Sequence, residues 1–275
     1  MSRPFLSPRN DLVFKLLFGD AKDTGPLTDF LQAALDLPSD DYLNIVLVDP
    51  HLNGEGINDK RGILDIKAKT ATGKMVDIEI QIAEQPQMRE RIVFYLSRLI
   101  TEQIGRGENY RKIERSICIL ITYYVQIPEN GCYHNCYRLH DPRTGSEFTD
   151  LVEVNTLELP KLPHNTDGSA LWSWLKFMGS REEEELKMLA EKNPQIGKAV
   201  ARLQELSEDE RIRLLAESRE KMEWDNAARI QAAKEKGLEE GLLSVARTAL
   251  KKNLPIEEIM ALTGLSKEKI QSLAH

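Results

Sequence analysis

Two hydrophobic rhythms divide the chain. Apolar residues spaced by three and four, the period of an amphipathic helix, mark the first. Asn10 and Asp11 precede Leu12, Val13, Phe14, Leu16, Leu17 and Phe18, which predicts a capped helix ended by Gly19 and Asp20. Leu27, Phe30, Leu31 and Ala34 predict a second helix over 26–35, stopped by Pro38. Ile92, Tyr95, Leu96, Leu99, Ile100 and Gln103 predict a long one over about 86–105. The second rhythm is single alternation, the period of a half-buried strand. It runs through 60–69 and 75–82 on either side of Thr70-Ala71-Thr72-Gly73-Lys74, a small polar segment suited to a hairpin turn.

Residues 42–47 also read as a strand, and 49–59 as a loop. The run 115–125 is almost continuously β-branched and aromatic, which predicts a central strand buried on both faces. Further strands follow over 134–141 and 149–159. The order of elements gives an α/β class with a mixed sheet. After Pro163 the pattern turns helical. Trp172, Leu175 and Met178 form an apolar patch expected to pack on the sheet domain, and 180–240 is charged helix interrupted near its end by Gly237 and Gly241. Two short helices meet at Thr263-Gly264-Leu265, with Ser266 as the next cap. That spacing suits a helix-turn-helix. Only Lys267 and Lys269 are basic there, so a packing or oligomerisation element is the simpler reading. The expected division is a core over 1–165, a helical extension packing on it over 166–240, and a helix-turn-helix-like segment over 241–275.

The hairpin carries the candidate chemistry. Leu64, Ile66 and Ala68 share one face of the first arm, and Asp65, Lys67 and Lys69 the other. On the second arm Val76, Ile78, Ile80 and Ile82 oppose Asp77, Glu79 and Gln81. A turn centred on Thr72 sets Asp65 across from Glu79 and Lys67 across from Asp77. Directly opposed Cβ atoms lie about 4.5–5.5 Å apart, and two carboxylates that close repel unless a cation or a proton lies between them. This is the geometry of a divalent-metal site, with Gln81 one step along the same face. The same pattern also fits a solvated strand face with a Lys67–Asp77 surface pair. A second cluster, Cys132, His134 and Cys136 with His140 beyond, is spaced more tightly than ordinary zinc motifs and reads as packing.

Composition narrows the class. The chain has 275 residues, of which 41% are hydrophobic and 29% charged. No apolar run approaches the roughly 18 residues of a membrane span, and the N-terminus lacks a signal core. Three cysteines, an odd number, fit a reducing compartment. The expectation is a cytoplasmic globular protein with no membrane partner. A net charge of -7 argues against a chain built to coat nucleic acid, but not against a nuclease with a basic patch near an acidic metal site.

Helix, strand, carboxylate-bearing hairpin, long helix and central strand, in that order, resembles the core of restriction-endonuclease-like nucleases. More specifically, the chain resembles the recombination-promoting nuclease family, the PD-(D/E)XK transposases. The matching stretches are Asn10 to Gly19, Lys60-Arg61-Gly62-Ile63-Leu64-Asp65, Asp77-Ile78-Glu79-Ile80-Gln81, Arg89 to Tyr95, Gly107-Glu108-Asn109-Tyr110 and Ala261 to Ser266. The resemblance implies a restriction-endonuclease-like mixed sheet core flanked by helices, with a helical C-terminal extension. It implies a Mg²⁺-dependent DNA endonuclease, with Mn²⁺ as a substitute ion, of low sequence specificity, bacterial, and linked to recombination or transposition. Asp65, Glu79 and the Ile80 carbonyl would be the metal ligands. Gln81 stands where the wider superfamily has lysine. An amide orients water or phosphate but supplies no charge, so Lys67 is the candidate basic helper. Arg91 and Tyr95, four apart on the following helix, are candidates to meet the substrate phosphate. The rival readings are a non-catalytic DNA-binding or transposition accessory protein and a helical scaffold. Leu242, Val245, Ala246 and Ala249 suggest a homodimer.

Overall fold

Asn10 ends an extended lead-in by capping α1 (Asp11–Phe18). Its side-chain oxygen accepts from the Leu12 and Val13 amides at 3.1 and 3.3 Å. The computed structural model describes residues 4–48, 66–85 and 87–273. Asp65, the rest of 60–64 and the loop read over 49–59 lie outside these residues. α2 (Gly25–Ala34) follows, with Pro26 in its first turn. Of the segment read as a strand over 42–47, Tyr42 and Leu43 end a 3-10 turn (Ser39–Leu43) and only Val46–Leu47 form a strand, β1. Side-chain bonds of the turn explain the difference. Asp41 is spent on side-chain bonds elsewhere, and the Tyr42 hydroxyl donates to the Leu35 carbonyl at 2.9 Å.

β2 (Ile66–Lys69) and β3 (Met75–Gln81) form the hairpin. Ile66 pairs with Ile78, Lys67 with Asp77 and Ala68 with Val76, the register expected from a turn centred on Thr72. Gly73 takes a φ of 102°, which a side chain would resist. Then come α3 (Met88–Thr101), β4 (Ser116–Thr122), β5 (His134–His140) and β6 (Glu147–Glu158). The six strands lie in the order β1-β2-β3-β4-β6-β5, with β3, β4 and β6 parallel and the other pairs antiparallel. This is a mixed sheet with a central β4 buried throughout, as its sequence predicts.

One face of the sheet carries Ile66, Ala68, Val76, Ile78, Ile80, Ile117, Ile119 and Ile121. It packs on α1, α2, α4 (Ala170–Gly179), α5 (Glu183–Lys192) and α6 (Pro194–Glu208). Trp174 sits at the centre, its ring 5.4 Å from Phe18 and 5.8 Å from Phe177, with its indole N–H donated to Asp29 at 2.8 Å. Trp172, Leu175 and Met178 are buried there too. The opposite face is covered by α3.

α7 (Glu210–Lys251) runs 42 residues straight through Gly237 and Gly241, expected to interrupt it. Two glycines each weaken a helix by about 1 kcal/mol, too little to break one this long. Chain contacts divide the molecule into Met1–Glu220 and Lys221–His275. In the second unit α8 (Ile256–Thr263) and α9 (Lys267–Ser272) close on the end of α7 around Ala246, Ala249, Ile259 and Ile270. Gly264 ends α8 in the left-handed region (φ 68°), and Ser266 caps α9. Ala246 and Ala249 are therefore occupied within their own unit. Val245 remains exposed and Leu242 half-exposed among the suggested dimer contacts. Among the described residues no helix is long and apolar enough to cross a membrane.

A buried polar knot fixes the hairpin. The fully buried Asp41 carboxylate takes Lys74 Nζ on both oxygens at 3.0 and 2.9 Å, Thr70 Oγ1 at 2.8 Å, and the Thr72 hydroxyl. Burial raises its pKa, but the bonds from Thr72, Lys74 and Thr70 outweigh burial and hold it below the ordinary value of 3.8. A depressed folded-state pKa contributes stability that is present above the unfolded value and lost as pH falls through the folded one. Asp41→Asn should therefore lower stability at pH 7 by about 3 kcal/mol, the low end for breaking a buried pair. In urea melts the gap between wild type and variant should narrow once the pH drops below 3.8.

Candidate functional site

Strand alternation delivers the site. With Val76, Ile78 and Ile80 in the main core, Asp77, Glu79 and Gln81 must point toward α3. On the neighbouring strand their register partners are Cys118, Leu120 and Thr122. Met88, Ile92 and Leu96 of α3 pack on Cys118 and Leu120, so the carboxylates lie beside an apolar roof. Asp77 is 1% exposed and Glu79 4%. These values rule out a solvated face at Asp77 and Glu79, which would be open to water. Asp77, read from sequence as half of a surface pair with Lys67, instead belongs to the buried carboxylate face.

A carboxylate withdrawn from water needs charge or hydrogen bonds in exchange. Glu79 Oε2 accepts from Gln81 Nε2 at 3.1 Å. Two residues along a strand are about 7 Å apart, so Asp77 and Glu79 stack their charges on one face. The donors here are all oxygen: two carboxylates and the Gln81 amide. That set suits a hard cation of the Mg²⁺ type rather than zinc. Among the described residues no three His, Cys, Asp or Glu side chains gather in metal-binding geometry. Ile80 is buried in the strand between Glu79 and Gln81.

The carboxyl end of β3 leads into Gln87, whose positive φ of 59° turns the chain sharply into α3. This turn brings Arg91 beside Gln85. One guanidinium nitrogen bonds the Gln85 side-chain oxygen, and the other donates to the Tyr95 hydroxyl at 3.0 Å. The guanidinium also lies 5.6 Å from the centre of the Tyr95 ring. Arg91 and Tyr95 therefore act as one unit, as their spacing predicts. Tyr124 stands near them, its phenol pushed up to about 12 by burial, with Glu84 adding to the rise and Arg91 opposing it. Gln85 and Tyr124 were not legible as site residues, because an isolated Gln or Tyr in a loop carries no periodic signal.

Lys67 is placed differently. Its ammonium lies 3.9 Å from Glu102, the residue that ends α3. Arg91 and Glu102 are separated by about 16 Å of helix. Lys67 thus shares the strand face of Asp77 but directs its charge away from the Arg91 end. Elsewhere, His134 Nε2 is bonded to Asn155 Oδ1 at 2.9 Å, while Cys132, just before the edge strand β5, and Cys136, on it, are exposed rather than packed as the sequence reading had them.

No curated protein and no solved structure gives a significant match to the chain. A family model described as PD-(D/E)XK nuclease family transposase matches residues 8–233, covering α1, the hairpin, the sheet, α4 to α6 and part of α7. With that match over most of its length, the chain belongs to the PD-(D/E)XK nuclease family transposases.

Proposed function

We propose that the chain is a metal-dependent endodeoxyribonuclease of low sequence specificity, working in the cytoplasm in DNA recombination or transposition. The observation that carries this reading is the buried Glu79 carboxylate on the polar face of β3, bonded to Gln81. Asp65 is joined by one peptide bond to Ile66, whose partner is Ile78. In the sequence pattern, a turn centred on Thr72 pairs Asp65 with Glu79. The Gln81 carbonyl accepts from the Tyr123 amide at 3.1 Å, on the β4 side. Successive carbonyls along a strand alternate sides, so Ile80 would offer its carbonyl on the β2 side, toward Asp65. Asp65, Glu79 and the Ile80 carbonyl would then hold Mg²⁺, with Mn²⁺ as a substitute. When bound, the ion polarises a phosphoryl oxygen and acidifies a water.

The chain's own groups do the rest. Gln81 steadies the Glu79 carboxylate and offers an amide to water or phosphate. Arg91, held by Gln85 and Tyr95, presents a planar cation to the DNA backbone and is better placed than Lys67 to offset the missing superfamily lysine. Lys67 adds positive potential further along the same face. The occupied lysine position favours one second reading, a DNA-binding accessory protein without catalysis. A homodimer would serve double-strand cleavage and would rest on Leu242 and Val245.

Plasmid nicking tests the proposal. Wild type should cleave with Mg²⁺ or Mn²⁺ and stop with EDTA. Asp65→Ala and Glu79→Ala should each lower the rate at least about 100-fold, the worth of several kcal/mol of charge stabilisation. Equal cleavage by wild type and variants would remove these residues from the site. No cleavage by any form, with DNA retained in a gel shift, would favour the accessory reading. Arg91→Ala should change stability by less than about 1 kcal/mol in urea melts. It should weaken DNA binding and reduce the slope of log affinity against log salt by about 0.9.

A further inference from the structure

Arg9 precedes the cap of α1, and among the described residues its guanidinium makes no hydrogen bond. Its guanidinium lies 4.4 Å from the centre of the Tyr123 ring, and its Nε is buried without an acceptor. A cation in this position, stacked and partly desolvated, has the N–H groups of its two terminal nitrogens to offer. It lines a pocket of about 350 Å³ whose walls include Tyr123, Pro160, Leu162, His164 and Lys176, and no carboxylate. Lys176 is held by Glu185 at 2.9 Å, which leaves Arg9 and His164 as the donors to an incoming group. The last turn of α4 also borders the pocket, yet does not face it with bare carbonyls. The Lys176 carbonyl accepts from the Ser180 amide at 2.9 Å, and the Met178 carbonyl from the Tyr123 hydroxyl at 2.9 Å.

The pocket's place in the sheet gives it a partner. Tyr123 follows the last residue of β4, and Leu159 follows the last residue of β6, so the walls sit at the carboxyl ends of two parallel strands. Ligands of open α/β sheets bind at such ends. The Tyr123 amide is bonded to the Gln81 carbonyl, which ties the pocket to the end of the strand that bears Glu79. Gln81 faces α3, whereas Tyr123 packs on the core side, so the pocket lies across the sheet edge from the Glu79 face.

We propose that the Arg9 pocket binds a phosphate group, with the guanidinium on its oxygens and the Leu162 and Pro160 wall against the adjoining sugar. On the nuclease reading, on which this assignment of source rests, the group is a non-scissile backbone phosphate of the DNA strand crossing the carboxyl edge of β3 and β4. The same chemistry would also take free inorganic phosphate, and the test separates the two.

Full-length wild type, Arg9→Gln and Arg9→Lys are compared in EDTA, where cleavage is off. One arm reads the anisotropy of a labelled DNA duplex across a salt series. The other reads thermal melting with inorganic phosphate against chloride of equal ionic strength. A strand phosphate predicts that Arg9→Gln weakens DNA binding about five- to tenfold and lowers the salt slope by about 0.9, with Arg9→Lys largely restored. A free phosphate predicts that phosphate raises the wild-type melting temperature but not that of Arg9→Gln, with DNA affinity unchanged. A folded Arg9→Gln that matches wild type in both arms overturns the site. If Arg9→Gln does not fold, His164→Ala and the wild-type phosphate titration decide. No wild-type response to phosphate, together with unaltered DNA binding in His164→Ala, overturns it as well. Because both arms run without metal, they are independent of Glu79. Loss of the cleavage reading with Arg9-dependent binding intact would overturn only the catalytic assignment.

Discussion

The alternation of side chains along β3 is the constraint on which everything else depends. Val76, Ile78 and Ile80 complete the main core, so Asp77, Glu79 and Gln81 have no choice of direction. A slip of one residue in the register with β2 would exchange the two sets and bury charge in the aromatic core around Trp174. The apolar layer of helices therefore enforces the carboxylate face. That face is in turn closed by α3, which sets its own apolar residues on Cys118 and Leu120 and leaves the carboxylates in a low-dielectric wall. Electrostatic interactions there are stronger than in water.

Two local devices fix where this face begins and ends. At the turn of the hairpin, Asp41 gathers Lys74, Thr70 and Thr72 and pins the register from the side of the 3-10 turn. At the other end, the left-handed Gln87 reverses the chain so that α3 starts beside the end of β3 and brings Arg91 with Tyr95 to that rim. The Arg91 guanidinium thus comes from the helix, whereas Asp77 and Glu79 come from the strand. The Arg9–Tyr123 pair lies at the same carboxyl edge on the other side of the sheet. Positive charge is distributed around the edge of the strands rather than concentrated on β3.

Much of this was legible in the sequence because it rests on periodicity. The alternation of 66–69 and 75–81, the turn at Thr72, the unbroken β-branched run of β4, the Asn10 cap and the Gly264-Leu265-Ser266 junction each carry a local physical signature, and each appears in the fold. What was not legible depends on partners distant in sequence. Asp41 reads as one acidic residue among several until Lys74 meets it. Asp77 reads as a surface residue until α3 covers it. Residues 42–47 read as a strand because their side chains were credited to a sheet rather than to the turn. Gly237 and Gly241 read as breaks because local propensity was weighed without the length of the helix. The reach of the long Lys67 side chain to Glu102 is likewise a contact distant in sequence.

The claim at the centre of this account is that the polar face of β3 holds a divalent cation through Glu79. Electron paramagnetic resonance of Mn²⁺ titrated into the full-length protein, without DNA, measures this directly. The account predicts saturable Mn²⁺ binding by wild type that Mg²⁺ displaces and that is lost in both Glu79→Gln and Asp65→Asn, each still folded by circular dichroism. Mn²⁺ binding of equal strength in wild type and in folded Glu79→Gln would contradict it.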